Sequence, residues 1–170
     1  NKLNSNRLSW VANDISNFEE VEALAKQTSS VDLLINNAGQ MGPPFSLSAQ
    51  GHELQMATNH LGHFLLTKLL WEKLSKSEDP RVIHLSSTAH RTGRAIKDQQ
   101  ELSGKEIVYD RWQRYADTKL ACAHFGRELD IRAKQAGSRL KSVIAHPGWA
   151  STGLQLHYPT KLHVFAQTPA

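Results

Sequence analysis

Tyr115 and Lys119 stand four residues apart in a segment with helical spacing, Trp112 to Gln135, so both side chains project from one face and the ammonium can lie near the phenol. A phenol beside an ammonium can exchange a proton with a substrate oxygen. The same two residues can equally be an ordinary helix-surface pair. Their company favours chemistry. Ser87 closes an apolar run 28 residues earlier, Asn59 sits within a helical stripe beside His60 and Gly62, and Asn36-Asn37-Ala38-Gly39 follows another apolar run.

The elements that must position these residues alternate along the chain. Ser9 to Asn13 reads as a short strand ending at Asp14, and Ser16 or Asn17 can cap a helix in which Phe18, Val21, Leu24 and Ala25 recur at three- and four-residue spacing. Val31 to Ile35 reads as a buried strand stopping at the Asn-Asn-Ala-Gly turn. A helix fits roughly His52 to Leu74, with Leu54, Ala57, Leu61, Phe64, Leu65 and Leu69 as its stripe. Arg81 to Leu85 is the next strand, and Ser86 to about Asp110 is a polar, irregular stretch of a length that marks a functional loop. After the helix that stops at Gly137, Leu140 to Ala145 is a strand ending at His146, Pro147 and Gly148. Strands and helices in this order build a doubly wound α/β sheet with parallel strands covered on both faces. Ligands in such sheets gather beyond the carboxyl ends of strands. That rule singles out Asp14, Asn36 to Gly39, Ser86 with Ser87, and His146 to Thr152.

Composition narrows the function classes. The chain has 170 residues, of which 39% are hydrophobic and 21% charged, which is globular and sized for a single domain over residues 1–170. The net charge of +4 comes from scattered basic residues with no long run and no aromatic interleaving, so a nucleic-acid partner is not expected. The single cysteine, Cys122, excludes an internal disulfide framework and leaves no cysteine partner for zinc. His60, His63 and His146 match no zinc spacing and read as packing or solvent-facing histidines, so no metal is expected. The densest apolar stretch, Leu61 to Trp71, is interrupted by Gly62, His63 and Lys68 and is not a membrane span. A reducing, cytoplasmic setting is the expectation, and a homo-oligomer fits equally well.

Five segments, in register and in order, resemble the short-chain dehydrogenase/reductase family, and within it the retinol-dehydrogenase-like branch. Val31 through Gly39 resembles the strand with its Asn-Asn-Ala-Gly signature, and Asn59-His60-Leu61-Gly62-His63-Phe64 resembles the segment of the catalytic asparagine. Arg81 to Ser87 resembles the strand presenting the catalytic serine, the second of the pair. Tyr115-Ala116-Asp117-Thr118-Lys119 matches Tyr-x-x-x-Lys, and His146-Pro147-Gly148 with Thr152 resembles the Pro-Gly motif flanking the nicotinamide.

The resemblance implies an oxidoreductase that interconverts an alcohol and a carbonyl of a small molecule with NAD or NADP. Its catalytic residues would be Asn59, Ser87, Tyr115 and Lys119. Tyr115 would be the general acid/base, Ser87 would bond the substrate oxygen, Lys119 would hold the nicotinamide ribose, and Asn59 would position a relay water. A phenol with pKa about 10 is a poor base near neutrality, and lowering it by two to three pKa units corresponds to about 3 to 4 kcal/mol. The implied cofactor residues are Asp14 and Ile15 near adenine, Asn36, Ala38 and Gly39 near the adenosine ribose, then Tyr115, Lys119, Pro147, Gly148 and Thr152. Asp14 can instead cap the following helix, and Gly39 can serve a turn with positive φ.

One departure stands out. No two of the ten glycines are separated by a single residue, so the glycine-rich phosphate cradle of the first strand-helix unit is not in this sequence. The resemblance therefore implies a segment truncated at both ends. A non-catalytic relative or binding module is the alternative, against which the intact Asn59, Ser87, Tyr115 and Lys119 set argues. Substrate choice is expected to lie in the loop from Thr88 to Arg111.

Overall fold

In the computed structural model of the protein, residues 8–98, 102, 109–148 and 154 are described. Helix α1 (Phe18–Gln27) starts where Asn17 accepts the Glu19 N–H at 3.2 Å, with Glu19 and Glu20 in the positive first turn. Strand β1 (Leu33–Asn36) follows. A continuous helical run then comprises α2 (Leu54–Met56), a π turn (Ala57–Leu61) and α3 (Gly62–Ser75). Strand β2 (Arg81–Leu85), a 3-10 turn (Thr88–Thr92), helix α4 (Arg111–Gln135) and strand β3 (Lys141–Ala145) complete the order. Helix α4 ends as expected at Gly137, whose φ of 66° lets Ser138 N–H reach the Ala133 carbonyl and Gly137 N–H the Lys134 carbonyl.

The sheet is parallel throughout, in the order β1-β2-β3, with Leu33 opposite Arg81 and Arg81 opposite Lys141. Strands that advance steadily across a sheet through right-handed crossovers put their helices on the same face. Accordingly α3 and α4 share one core: Val82 and Leu140 pack with Leu66, Leu70, Leu74 and Ala133, and α1 adds Val21 and Ala25. This is one wing of a doubly wound α/β fold. Among the described residues this core covers one face of the strands. Leu33, Ile35 and Val143 point to the other face and are 49%, 52% and 44% exposed.

Ser9 to Asn13 forms no strand. It has no ladder partner among the described residues, and Trp10 is 87% exposed. Backbone pairing is what holds a strand, and alternation alone cannot supply it. The segment after it is held elsewhere: the Ile15 carbonyl presses on Gly62, where an added Cβ would sit only 1.9 Å from that oxygen. Glycine is therefore required at the start of α3 by close approach. None of the described helices is long and apolar enough to cross a membrane.

Candidate active site

A cleft of about 910 Å³ opens beyond the carboxyl ends of all three strands. Asn37, Ala38 and Gly39 follow β1 into it, Ser86 and Ser87 follow β2, and His146, Pro147 and Gly148 follow β3. Helix α4 contributes Tyr115, Ala116 and Lys119, while Met41, Ala89, Trp112 and Leu154 add apolar wall. Of the expected site residues, Ser87, Tyr115, Lys119, Ala38, Gly39, Pro147 and Gly148 thus meet in one place. Thr152 and residues 99–101 and 103–108 of the expected substrate loop lie outside the described residues.

Lys119 is buried, and its Nζ donates to the Leu85 carbonyl at 3.0 Å and lies 5.6 Å from the centre of the Tyr115 ring. Burial lowers the pKa of this ammonium from its ordinary value. The two serines divide their work. Ser86 Oγ is buried and donates to the Lys119 carbonyl at 2.8 Å, tying α4 to the end of β2. Ser87 lies at the cleft, where its Oγ accepts the Ala89 N–H at 3.3 Å and starts the 3-10 turn.

Asn59 lies one layer beneath. Its side chain accepts the Gln40 N–H at 2.7 Å and donates to the Gln40 carbonyl and to Thr118 Oγ, each at 2.9 Å. Thr118 Oγ in turn donates to the Tyr115 carbonyl at 2.7 Å. Both ends of the amide bond protein groups, so the side chain clamps the Gly39-Gln40 segment to α4. The Asn59 carbonyl is also occupied, accepting from the buried thiol of Cys122 at 3.0 Å and lying 3.1 Å from the His63 ring. The π turn makes this possible: the Gly62 N–H reaches the Ala57 carbonyl, five residues back.

Gly39 does not have positive φ, which corrects the turn reading; it packs closely instead, an added Cβ lying a tight 3.2 Å from Asn59 Oδ1 and in ordinary contact, 3.8 Å, with Lys119 Nζ. Asn36 is buried, donating to Thr67 Oγ at 3.1 Å and lying 3.3 Å from the His84 ring, so its side chain holds the core while Asn37 faces the cleft. Asp14 is exposed, and its carboxylate accepts the backbone and hydroxyl of Ser16 at 2.9 and 2.8 Å. Neither Asp14 nor Ile15 lines the cleft, and Asn17, not Asp14, caps α1.

Sequence reasoning missed a buried polar hub. Glu53 is fully buried and accepts the N–H groups of Gln55 and Met56 at 3.0 and 2.9 Å, and the Tyr109 hydroxyl at 2.8 Å. Its second oxygen lies 3.7 Å from Arg114 Nε. Gln55 binds Gly42 N–H, the Tyr109 hydroxyl and the Arg111 carbonyl. Burial, and less strongly the Glu53 carboxylate, push the Tyr109 phenol well above its usual range, so it stays a donor. The hub joins the loop after Gly39, the helix bearing Asn59 and the first turn before Tyr115. Only a charge among apolar neighbours, Glu53 before Leu54 and Met56, hints at it in the sequence.

His60, His63 and His84 are packing histidines. Burial holds each neutral, with pKa values lowered to about 4; nearby His63 adds to the effect on His60 and His84, as the Lys119 charge does on His63. The unfolded chain binds these protons near pH 6.5 and the folded protein only near 4, so stability falls as pH drops between the two values. From pH 7 to 5 the loss should be roughly 2 kcal/mol per ring. Urea unfolding at the two pH values checks it, and equal midpoints would refute the burial of these rings.

The sequence pattern of the family described as short chain dehydrogenase matches residues 1–98. The chain is 40% identical over 148 residues to retinol dehydrogenase 11 of Homo sapiens, covering 85% of this chain and 45% of that protein. It is 35% identical over 163 residues to the short-chain dehydrogenase/reductase prx1 of Penicillium rubens, covering 91% and 46%. The chain thus spans just under half the length of these curated relatives. A solved structure of an uncharacterised protein from Mycobacterium paratuberculosis superposes with a TM-score of 0.76 at 38% identity, covering 91% of this chain and 52% of that one. The 3-alpha-hydroxysteroid dehydrogenase of a Pseudomonas species, solved with NADH, shares the fold at a TM-score of 0.66 and 18% identity, covering 92% and 66%.

Proposed function

Because the chain belongs to the short-chain dehydrogenase family, we propose that its cleft serves the interconversion of an alcohol and a carbonyl, with NAD or NADP as hydride carrier and Tyr115 as the general acid/base. The observation that carries this reading is the convergence of Tyr115, Lys119 and Ser87 on one cleft, with the ammonium 5.6 Å from the phenol ring.

The residues present fit the nicotinamide and ribose end of a dinucleotide. Gly39 keeps the floor low beside the Lys119 ammonium, and Gly148, with φ of 73°, has open space where a Cβ would stand. Lys119 would hold the ribose hydroxyls, and Ala38, Gly39, Pro147 and Gly148 would flank the ring and sugar. The bound dinucleotide supplies or accepts the hydride. Ser87 bonds the substrate oxygen, Tyr115 gives or takes the proton at that oxygen, and the Lys119 charge favours the phenolate. Asn59 acts as a positioning residue by fixing Gln40 and Thr118.

Met41, Ala89, Trp112, Ala116 and Leu154 make the substrate side apolar. An uncharged, bulky apolar alcohol or aldehyde suits this wall, of the kind for which the human retinol dehydrogenase is named. In the full-length parent protein, Lys119→Met should weaken NADH or NADPH binding by about tenfold, the loss of one charge-assisted hydrogen bond, and slow turnover of an apolar aldehyde. Unchanged cofactor affinity in that variant, measured by fluorescence titration, would remove Lys119 from the ribose site.

A further inference from the structure

Asp117 stands in the middle of the Tyr115-to-Lys119 motif, yet the proposed chemistry does not use it. Its carboxylate is buried and accepts the Arg94 backbone N–H at 2.7 Å and Gln113 Nε2 at 2.8 Å. The Arg94 guanidinium reaches it at 3.4 Å, but that side chain is 70% exposed and contributes little. Burying a carboxylate is costly unless hydrogen bonds replace its water, and these partners supply them.

One partner, Arg94, belongs to the segment that leaves Ser87, and the other, Gln113, stands one turn before Asp117 on α4. Gln113 Nε2 also donates to the Thr92 carbonyl at 2.8 Å. Between Thr92 and Arg94, Gly93 lies so close to α4 that an added Cβ would sit 2.5 Å from the Ala116 carbonyl oxygen and 2.7 Å from Leu120 Cβ. Gln113, Ala116, Asp117 and Leu120 follow the i, i+3, i+4, i+7 spacing of one helix face. That face receives the segment, while Tyr115 and Lys119 turn toward the cleft. On the segment's other side, Thr88, Ala89 and Thr92 line the cleft.

We infer that Asp117 is the positioning residue that docks the Ser87-to-Arg94 segment on α4, and that by setting the distance of Thr88, Ala89 and Thr92 from Trp112 it determines which substrate substituents fit. The specificity half rests on the dehydrogenase reading; the docking half does not.

Hydrogen exchange and steady-state kinetics of the protein separate the two. Asp117→Ala should speed exchange of the Arg94 amide at least tenfold while the Ile83 and Val143 amides keep their rates, and Asp117→Asn, which retains an acceptor, should restore most of the protection. The ratio of kcat/KM for a small and a bulky apolar aldehyde should change at least fivefold in Asp117→Ala, with NADH affinity unchanged. Gly93→Ala, which lifts the segment without touching the carboxylate, should shift the same ratio and covers the case in which Asp117→Ala does not fold. Unaltered Arg94 exchange overturns the docking, and faster exchange with an unaltered substrate ratio overturns the specificity role. If the full-length parent protein turns over no alcohol or carbonyl, the dehydrogenase reading fails and takes the specificity half with it, while Arg94 exchange still decides the docking.

Discussion

Replacing Tyr115 with Phe should lower turnover by about 10² to 10⁴, the range that a positioned proton donor or acceptor contributes. The substitution removes one oxygen from a buried ring and leaves Lys119 bonded to the Leu85 carbonyl, so cofactor binding should persist. Loss of kcat with retained NADH or NADPH affinity is therefore the expected signature. It differs from that of Lys119→Met, where both fall. Near-normal turnover in Tyr115→Phe would end the acid/base assignment and return Tyr115 and Lys119 to an ordinary helix pair.

The largest stability effect is expected at Glu53, not among the residues facing the cleft. Glu53→Ala deletes two backbone caps, the acceptor of the Tyr109 hydroxyl and the counter-charge of a buried Arg114. Removing one partner of a buried pair costs about 3 to 5 kcal/mol, because the remaining charge stays desolvated. For a chain of this size that corresponds to a fall in Tm of roughly 10 °C. Glu53→Gln keeps a carbonyl for the caps and should lose less. Thermal unfolding of the two variants gives the order, and a loss below about 1 kcal/mol for Glu53→Ala would show that Arg114 is solvated.

How far the sequence revealed this arrangement depends on which forces set each part. Local signals were reliable where local chemistry decides. Arg81 to Leu85 is an apolar run that becomes β2 without adjustment, and Asn17 and Gly137 end their helices by side-chain capping and positive φ. The site was legible because chemistry-bearing residues follow each strand, as parallel sheets require. The tie between Asn59 and the Gly39-Gln40 segment is not legible, since it is a contact across 20 residues of sequence. Glu53 and Asp117 gave almost no signal, because only tertiary burial turns a carboxylate into a hub.

The stripe assigned to the long helix failed for a related reason. Phe64 and Leu69 were expected inward but are 47% and 38% exposed, while His63, Leu66, Thr67, Leu70 and Leu74 are buried. A periodicity read across the whole segment assumes a constant 3.6 residues per turn. The π turn adds one residue, which rotates all that follows by roughly 100°.

That extra residue makes chain length, rather than side-chain identity, a hidden variable of the site. Amino-acid exchanges between Ala57 and Leu61 leave the residue count intact, so the turn can persist through them. Removing a single codon there would let the backbone relax into ordinary α geometry and swing Glu53, with the loop it holds, around the axis of α3. Alignments and libraries that treat gaps in this five-residue window as neutral would therefore overlook the most disruptive class of change open to it.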